Sequence, residues 1–177
     1  MKKLSMDKLN RMNVAEFKKS SKYPIVVVLD NVRSMNNIGS VFRTCDAFRI
    51  DEIYLCGITA QPPHKDIEKT ALGATQSVSW KYFNLTQEAV NELIKNNYSV
   101  FAIEQVEESI MLNDFNSCDY KKLALVFGNE VMGVEQQVID SCSGCIEIPQ
   151  FGTKHSLNIS VSVGIILWHI VYSNLKI

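Results

Sequence analysis

Long apolar runs are scarce in this chain of 177 residues. The longest, Ile159 to Tyr172, is broken by Ser160, Ser162 and His169 and falls short of the roughly 20 residues a membrane-spanning helix needs. No bilayer-spanning segment is expected. Behind the basic start Met-Lys-Lys-Leu-Ser-Met-Asp-Lys there is no apolar stretch of the secretory kind, which makes the cytoplasm the expected compartment. Glycine and proline number only 8 and 4, excluding collagen-like and low-complexity classes. Among five cysteines there is one C-x-x-C, Cys142-Ser-Gly-Cys145, with no second pair to complete a zinc site and no following helix to lower a thiol pKa. Structural thiols are expected there, and Cys45, Cys56 and Cys118 read as small core residues. Neither His64 nor His169 has a carboxylate or second histidine at ligand spacing, so no metal is expected. No Gly-x-Gly-x-x-Gly loop follows a strand, which removes support for a Rossmann nucleotide site.

What is present is an ordinary globular composition, 46% apolar and 21% charged, at a net charge of −1 and a length that fits one domain. The charge is unevenly placed. Residues 1–22 carry Lys2, Lys3, Lys8, Arg11, Lys18, Lys19 and Lys22 against Asp7 and Glu16, a net +5, whereas residues 104–147 are net −7. A bipolar chain can offer phosphate one basic face, although a solvated helix explains the same lysines. Residues 1–22 read as a basic helical extension with Leu4, Leu9, Met12 and Phe17 on one side and a capping box at Asn13 and Glu16. Residues 23–177 are expected to form the main domain.

From Tyr23 onward, six β-rich runs alternate with helical stretches. The runs are residues 25–30, 52–56, 77–83, 99–104, 123–127 and 145–149. Helices are expected over 38–48, 86–96 and 134–141. Runs such as Ile25–Leu29 and Leu123–Phe127 are continuously apolar, the sign of strands covered on both faces, so the expectation is an α/β fold with a mostly parallel six-stranded sheet between helices. The last segment alternates like a strand from Leu157 to Ile165, but its length favours a helix, with Ser156 as its expected N-cap.

Ligand sites in such sheets collect at the carboxyl ends of strands. Three stretches follow strand ends with unusual chemistry. The first is Asp30-Asn-Val-Arg-Ser-Met-Asn-Asn-Ile-Gly-Ser-Val-Phe-Arg43, a polar loop opening a helix, in which Asn37 could be an N-cap and Arg43 a surface ion-pair partner. In the second, Phe127-Gly-Asn-Glu-Val-Met-Gly-Val134, two glycines bracket Glu130 where a buried strand surfaces, either to let a ligand approach backbone amides or as a turn that caps the next helix. The third, Ile148-Pro-Gln-Phe-Gly-Thr-Lys-His-Ser-Leu-Asn158, offers Ser156 and Asn158 as neutral hydrogen-bonding groups, or as a plain cap and loop.

Taken in this order, the three stretches resemble the three motifs of the SpoU family of RNA ribose 2′-O-methyltransferases, in the SPOUT superfamily. The resemblance runs from Val27 to the C-terminus, and Ala71-Leu-Gly-Ala74 resembles the family's Gly-Ala loop. One departure is Gln150, which stands where many relatives carry Met. The resemblance implies a C-terminal trefoil knot, which physics alone would not suggest because knots are almost absent from proteins. It also implies a homodimer through the C-terminal helix, where Ser160 and Gly164 give a small face, and a cofactor, S-adenosyl-L-methionine, held by Glu104, Gly128, Ile148, Gln150, Ser156 and Leu157. The implied catalytic set is Arg43, Asn37, Glu130, Ser156 and Asn158, with Ser156 and Asn37 orienting Arg43 and the ribose, and Glu130 fixing Arg43 or the motif loops.

The implied reaction needs no metal, because a sulfonium methyl is already electrophilic and the protein must only align a ribose 2′-hydroxyl and manage one proton. Arg43 is the residue expected to activate that hydroxyl. A guanidinium with a pKa above about 12 is a poor base, so a second role stays open, in which Arg43 holds the neighbouring phosphate and stabilises the developing alkoxide. A 2′-hydroxyl means RNA, tRNA or rRNA, rather than DNA. The sequence is also compatible with two other functions, a catalytically silent RNA-binding relative and a methyltransferase for a non-RNA substrate.

Overall fold

The computed structural model describes residues 3–9 and 11–174; Lys2 of the basic extension and residues 175–177 lie outside them. A 3₁₀ turn at Met6–Leu9 and helix α1 (Val14–Lys19) precede strand β1 (Tyr23–Asp30), helix α2 (Met35–Ala47), β2 (Ile50–Cys56), α3 (Lys65–Ala71), α4 (Ala74–Ser77), β3 (Ser79–Phe83) and α5 (Thr86–Lys95). Then come β4 (Ser99–Ile103), β5 (Ile110–Met111), two 3₁₀ turns, β6 (Leu123–Phe127), α6 (Gln136–Ser141), β7 (Gly144–Glu147) and α7 (Ile159–Asn174).

All pairings in the sheet are parallel, in the order β3-β2-β1-β6-β4-β7-β5. Among the described residues the sheet has seven strands rather than the six expected, because Ile110–Met111 adds a two-residue edge strand beside Ile146–Glu147. Two residues are too few to show a period in sequence. β3 starts at Ser79, not Ser77, since residues 74–77 close a helical turn in which the Ser77 hydroxyl donates to the Ala74 carbonyl.

Alternation along the central strands divides the core. Val27, Leu29, Leu125 and Phe127 face one layer, packed with Ile38, Phe42, Ile166 and Ile170 from α2 and α7. On the other side Val26, Val28, Ala124 and Val126 meet Val90, Leu93 and Val138 from α5 and α6. Covering both faces is what allows continuous apolar strands in a parallel sheet.

The N-terminal segment is not one helix. The capping box does restart it: the Glu16 amide donates to the Asn13 side chain at 3.0 Å and the Asn13 amide to the Glu16 carboxylate at 2.9 Å. Of the expected apolar stripe only Phe17 is buried, under the Lys22 ammonium 4.3 Å from its ring, while Leu4, Leu9 and Met12 stay exposed. Cys45 and Cys56 are buried as expected, but Cys118 is exposed, because it sits in a surface 3₁₀ turn rather than in the core. Burial pushes the Cys142 thiol up to about 12, which suits an inert thiol. The last segment is a helix, and among the described residues no helix is long and apolar enough to cross a membrane.

Candidate active site

The segments leaving β4, β6 and β7 at their carboxyl ends line one cavity of about 690 Å³, within the ~300–1,000 Å³ of small-molecule sites. Glu104, Gly128, Ile148, Gln150, Ser156 and Leu157 all stand on its wall, as do Glu130, His155 and Asn158. Asn37 and Arg43 do not.

Loop 128–134 is folded back on itself. Asn129 and Gly133 exchange two backbone hydrogen bonds of 2.9 Å, and the Asn129 side-chain oxygen accepts from the amides of Val131 and Met132 at 2.9 and 3.1 Å. Gly133 has φ +69°, and a Cβ there would lie 2.2 Å from a Glu104 oxygen; a Cβ on Gly128 would lie 2.1 Å from the Gly133 carbonyl carbon. Both positions need the missing side chain. The Glu104 carboxylate accepts from Val134 N at 3.1 Å and from Gln105 N at 2.9 Å, so it braces the wall through both oxygens.

Glu130 leaves this loop to reach the start of α2. Its oxygens accept from the amides of Arg33 and Ser34, each at 3.0 Å, and from the Asn37 side chain at 3.3 Å. Burial pushes its carboxyl up, but the hydrogen bonds from the amides of Arg33, Glu130 itself and Ser34 and from the Asn37 side chain outweigh that and hold it below its ordinary value. The Asn37 oxygen in turn accepts from Asn158 Nδ2 at 3.1 Å, and the Asn158 oxygen accepts from Ser160 N at 2.9 Å and the Ser160 hydroxyl at 2.7 Å. The amide orientations follow from the ends of this row: a carboxylate only accepts and a backbone N–H only donates, so each asparagine points one way. The row joins residues 93 and 121 positions apart.

Asn158, not Ser156, caps α7, because its side chain reaches the Ser160 amide while its carbonyl accepts from Val161 and Ser162. Likewise Ser34 caps α2, leaving Asn37 in the first turn with its amide side chain free for Glu130 and Asn158. Ser156 is exposed on the cavity wall. Arg43 is exposed on α2, and among the described residues it makes no hydrogen bond or ion pair. Within one chain, then, Glu130 fixes the motif loops, and neither Asn37 nor Ser156 holds Arg43.

A second network centres on Asp30, a residue whose role no sequence motif marks. Asp30, fully buried at the end of β1, accepts from the Thr86 hydroxyl, from Asn31 Nδ2 at 2.9 Å and from Glu135 N at 3.2 Å. Asn31, at φ +54°, also accepts from Ile58 N at 3.1 Å, and its carbonyl accepts from Asn129 Nδ2 at 2.7 Å. Together they tie loop 128–134 to the ends of β1 and β2. The available signal was a carboxylate closing an otherwise apolar buried run, since such a group must find partners.

Residues 24–168 match the sequence model of the SpoU rRNA Methylase family. The chain belongs to this family. It is 29% identical over 94% of its length to a tRNA (guanosine(18)-2'-O)-methyltransferase of Thermus thermophilus, covering 84% of that protein, and 32% identical over 81% of its length to the Aquifex aeolicus protein of the same name, covering 67% of it. The crystal structure of the A. aeolicus TrmH/SpoU tRNA modifying enzyme superposes with a TM-score of 0.80 at 25% identity, over 91% of this chain and 80% of that one. An AdoMet-bound rRNA methyltransferase from Sinorhizobium meliloti shares the fold, with a TM-score of 0.80 at 24% identity over 89% of this chain and 59% of that one. In this SpoU chain the Glu130–Asn37–Asn158 row is therefore where the three motif segments meet in space, at the edge of the cavity that Gln150 also lines.

Proposed function

We propose that this SpoU chain transfers a methyl group from S-adenosyl-L-methionine to a ribose 2′-hydroxyl of tRNA or rRNA. The observation that carries the reading is the direct bonding of Glu130, Asn37 and Asn158, one residue from each motif segment, at the rim of a 690 Å³ cavity. The cavity suits the cofactor: Gly128 and Gly133 let loop 128–134 close tightly on itself and on Glu104, and the oxygens of Glu104 are occupied by backbone amides rather than facing a ligand bare. When bound, the cofactor supplies an electrophilic methyl on a sulfonium. Gly128, Ile148, Gln150, Ser156 and Leu157 hold it, Asn37 and Asn158 set the edge against which the ribose rests, and Glu130 keeps that edge fixed to α2.

Arg43 acts on the ribose as a charge partner. Its guanidinium holds the adjacent phosphate and stabilises the alkoxide as it forms, which suits a group that does not give up its proton. Because Arg43 is off the cavity wall of its own chain, the reading includes a homodimer through α7, in which one copy's Arg43 serves the other's cavity. Support comes from the exposed Val161, Trp168 and Tyr172 on α7 and from Gly164, where a Cβ would meet nothing. A C-terminal trefoil knot belongs to the same reading, supported by β6 lying between β1 and β4 while β7 pairs with the other side of β4. The reading also places the protein in a reducing cytoplasm, which accords with the buried Cys45 and Cys56. The basic extension supplies phosphate contacts, so removing residues 1–12, which spares Phe17, lowers RNA affinity and flattens its salt dependence.

The test is incubation of the protein with methyl-labelled S-adenosyl-L-methionine and total cellular RNA. Label should enter ribose 2′-oxygens, Arg43→Lys should reduce transfer by about 100-fold or more with cofactor affinity unchanged, and mixing Arg43→Lys with Gly128→Ala should restore part of the activity. Label absent from RNA overturns the reaction, and failure of the mixture to recover overturns the shared site.

A further inference from the structure

Phe151 is 97% exposed, more than any other large apolar side chain among the described residues. It belongs to the loop between β7 and α7, and the residues around it, Gln150 and His155, line the cavity while Phe151 does not. Its ring therefore stands at the rim, outside the space for the methyl donor. Among the described residues no aromatic ring or cation packs on either of its faces. Three and four residues on, Lys154 and His155 are exposed as well. Val131 and Met132, on the cavity wall from the other loop, are 74% and 82% exposed.

We propose that Phe151 is a stacking platform for a nucleobase of the RNA, beside the nucleotide whose ribose enters the cavity, with Lys154 meeting the backbone phosphate; this rests on the RNA methylation reading above. An aromatic face next to a cation is the combination by which single-stranded nucleic acid is held, because every base has a π-face and every linkage a negative charge. The reaction requires one ribose to be presented edge-on at the rim, which turns a base outward from the cavity. The ring that can receive it is the one that does not line the donor's space. The loop also has room to adjust: among the described residues it is held by a single hydrogen bond, Gln105 Nε2 to the His155 carbonyl at 3.0 Å, and a Cβ on Gly152 would meet nothing.

The experiment measures KM for total cellular RNA, calorimetric affinity for S-adenosyl-L-methionine and association state for wild type, Phe151→Ala, Phe151→Leu and Phe151→Trp. Leucine keeps an apolar surface without a π-face. Alanine and leucine should raise KM for RNA about tenfold or more, with kcat within a few-fold, cofactor affinity unchanged, and tryptophan matching wild type or binding tighter. An unchanged KM in Phe151→Ala, or a wild-type KM in Phe151→Leu, overturns the platform while leaving RNA methylation standing. Weakened cofactor binding or a changed association state in Phe151→Ala also overturns it, assigning the ring to the donor or to a second copy. A wild type that labels no RNA overturns the underlying reading and the platform together.

Discussion

Loop 128–134 is bonded across its own base and tied to residues 31–37 and to Glu104, whereas loop 150–157 is held, among the described residues, by one hydrogen bond from Gln105. Both line the same cavity. The first presents a wall whose shape is set before any ligand arrives, so little ordering cost falls on binding there. The second keeps Phe151, Lys154 and Ser156 exposed on backbone that few contacts constrain, the arrangement that suits a variable macromolecular substrate. A methyl donor is the same molecule every time, and RNA surroundings are not. On the reading proposed above, the first loop gives the donor a fixed wall, while the second adds Gln150, Ser156 and Leu157 to that wall and turns Phe151 and Lys154 toward the RNA.

Alanine at the two loops' glycines should separate them most. Gly128→Ala forces a methyl group into the Gly133–Val134 backbone, and an overpacked site of this kind costs about 1–3 kcal/mol, read as a fall in urea midpoint together with lost calorimetric binding of S-adenosyl-L-methionine. Next in size is Asn158→Ala, which removes the α7 cap at about 0.5–2 kcal/mol and the bond to Asn37. Asn158→Asp keeps the cap but puts an oxygen against the Asn37 oxygen, so unfolding should recover toward wild type while methyl transfer stays low. Recovery of both would mean the link to Asn37 is idle.

Glu130→Gln comes third, at about 1 kcal/mol or less for an exposed group with charge-assisted bonds. Its folded pKa is depressed, so its stabilisation is fully present above the unfolded value of about 4.3 and is lost as pH falls through the lower folded value. The stability gap between wild type and Glu130→Gln should be flat from neutral pH down to about 5 and close in stronger acid; a gap that widens in acid has the wrong sign. Smallest is Gly152→Ala in the loose loop, where open space and unstrained backbone predict a change within about 0.5 kcal/mol and unaltered donor binding.

The sequence shows the pieces of this site better than their joints. Strand β6 coincides with the apolar run 123–127, and Gly128, Glu130 and Asn158 announce themselves by type at strand ends and a helix start. Strand β5, with two residues, and α3, with seven, carry too little period to be read. Ser156 looked like the cap of α7 because serine is a good cap, but asparagine is equally good, and only the chain path decides between residues two apart. The Glu130–Asn37–Asn158 row and the Asp30–Asn31 network span separations that no local pattern encodes. Arg43 shows the same limit from the other side: its motif is plain in the sequence, yet the fold of one chain gives it no partner among the described residues.

Among the described residues, the side chain of Asn158 has a single hydrogen to spare. Its oxygen already receives both the amide and the hydroxyl of Ser160, and one N–H is committed to Asn37. Toward any ligand it can act only as a donor. On the reading proposed above, a ribose hydroxyl resting on it would turn a lone pair toward the protein and its proton away, so that the proton would depart on the far side, without passing along the asparagines to Glu130. Deprotonation is thereby separated from the carboxylate that fixes the loops, and raising or lowering the charge on Glu130 should alter how firmly the ribose is seated without altering where its proton goes.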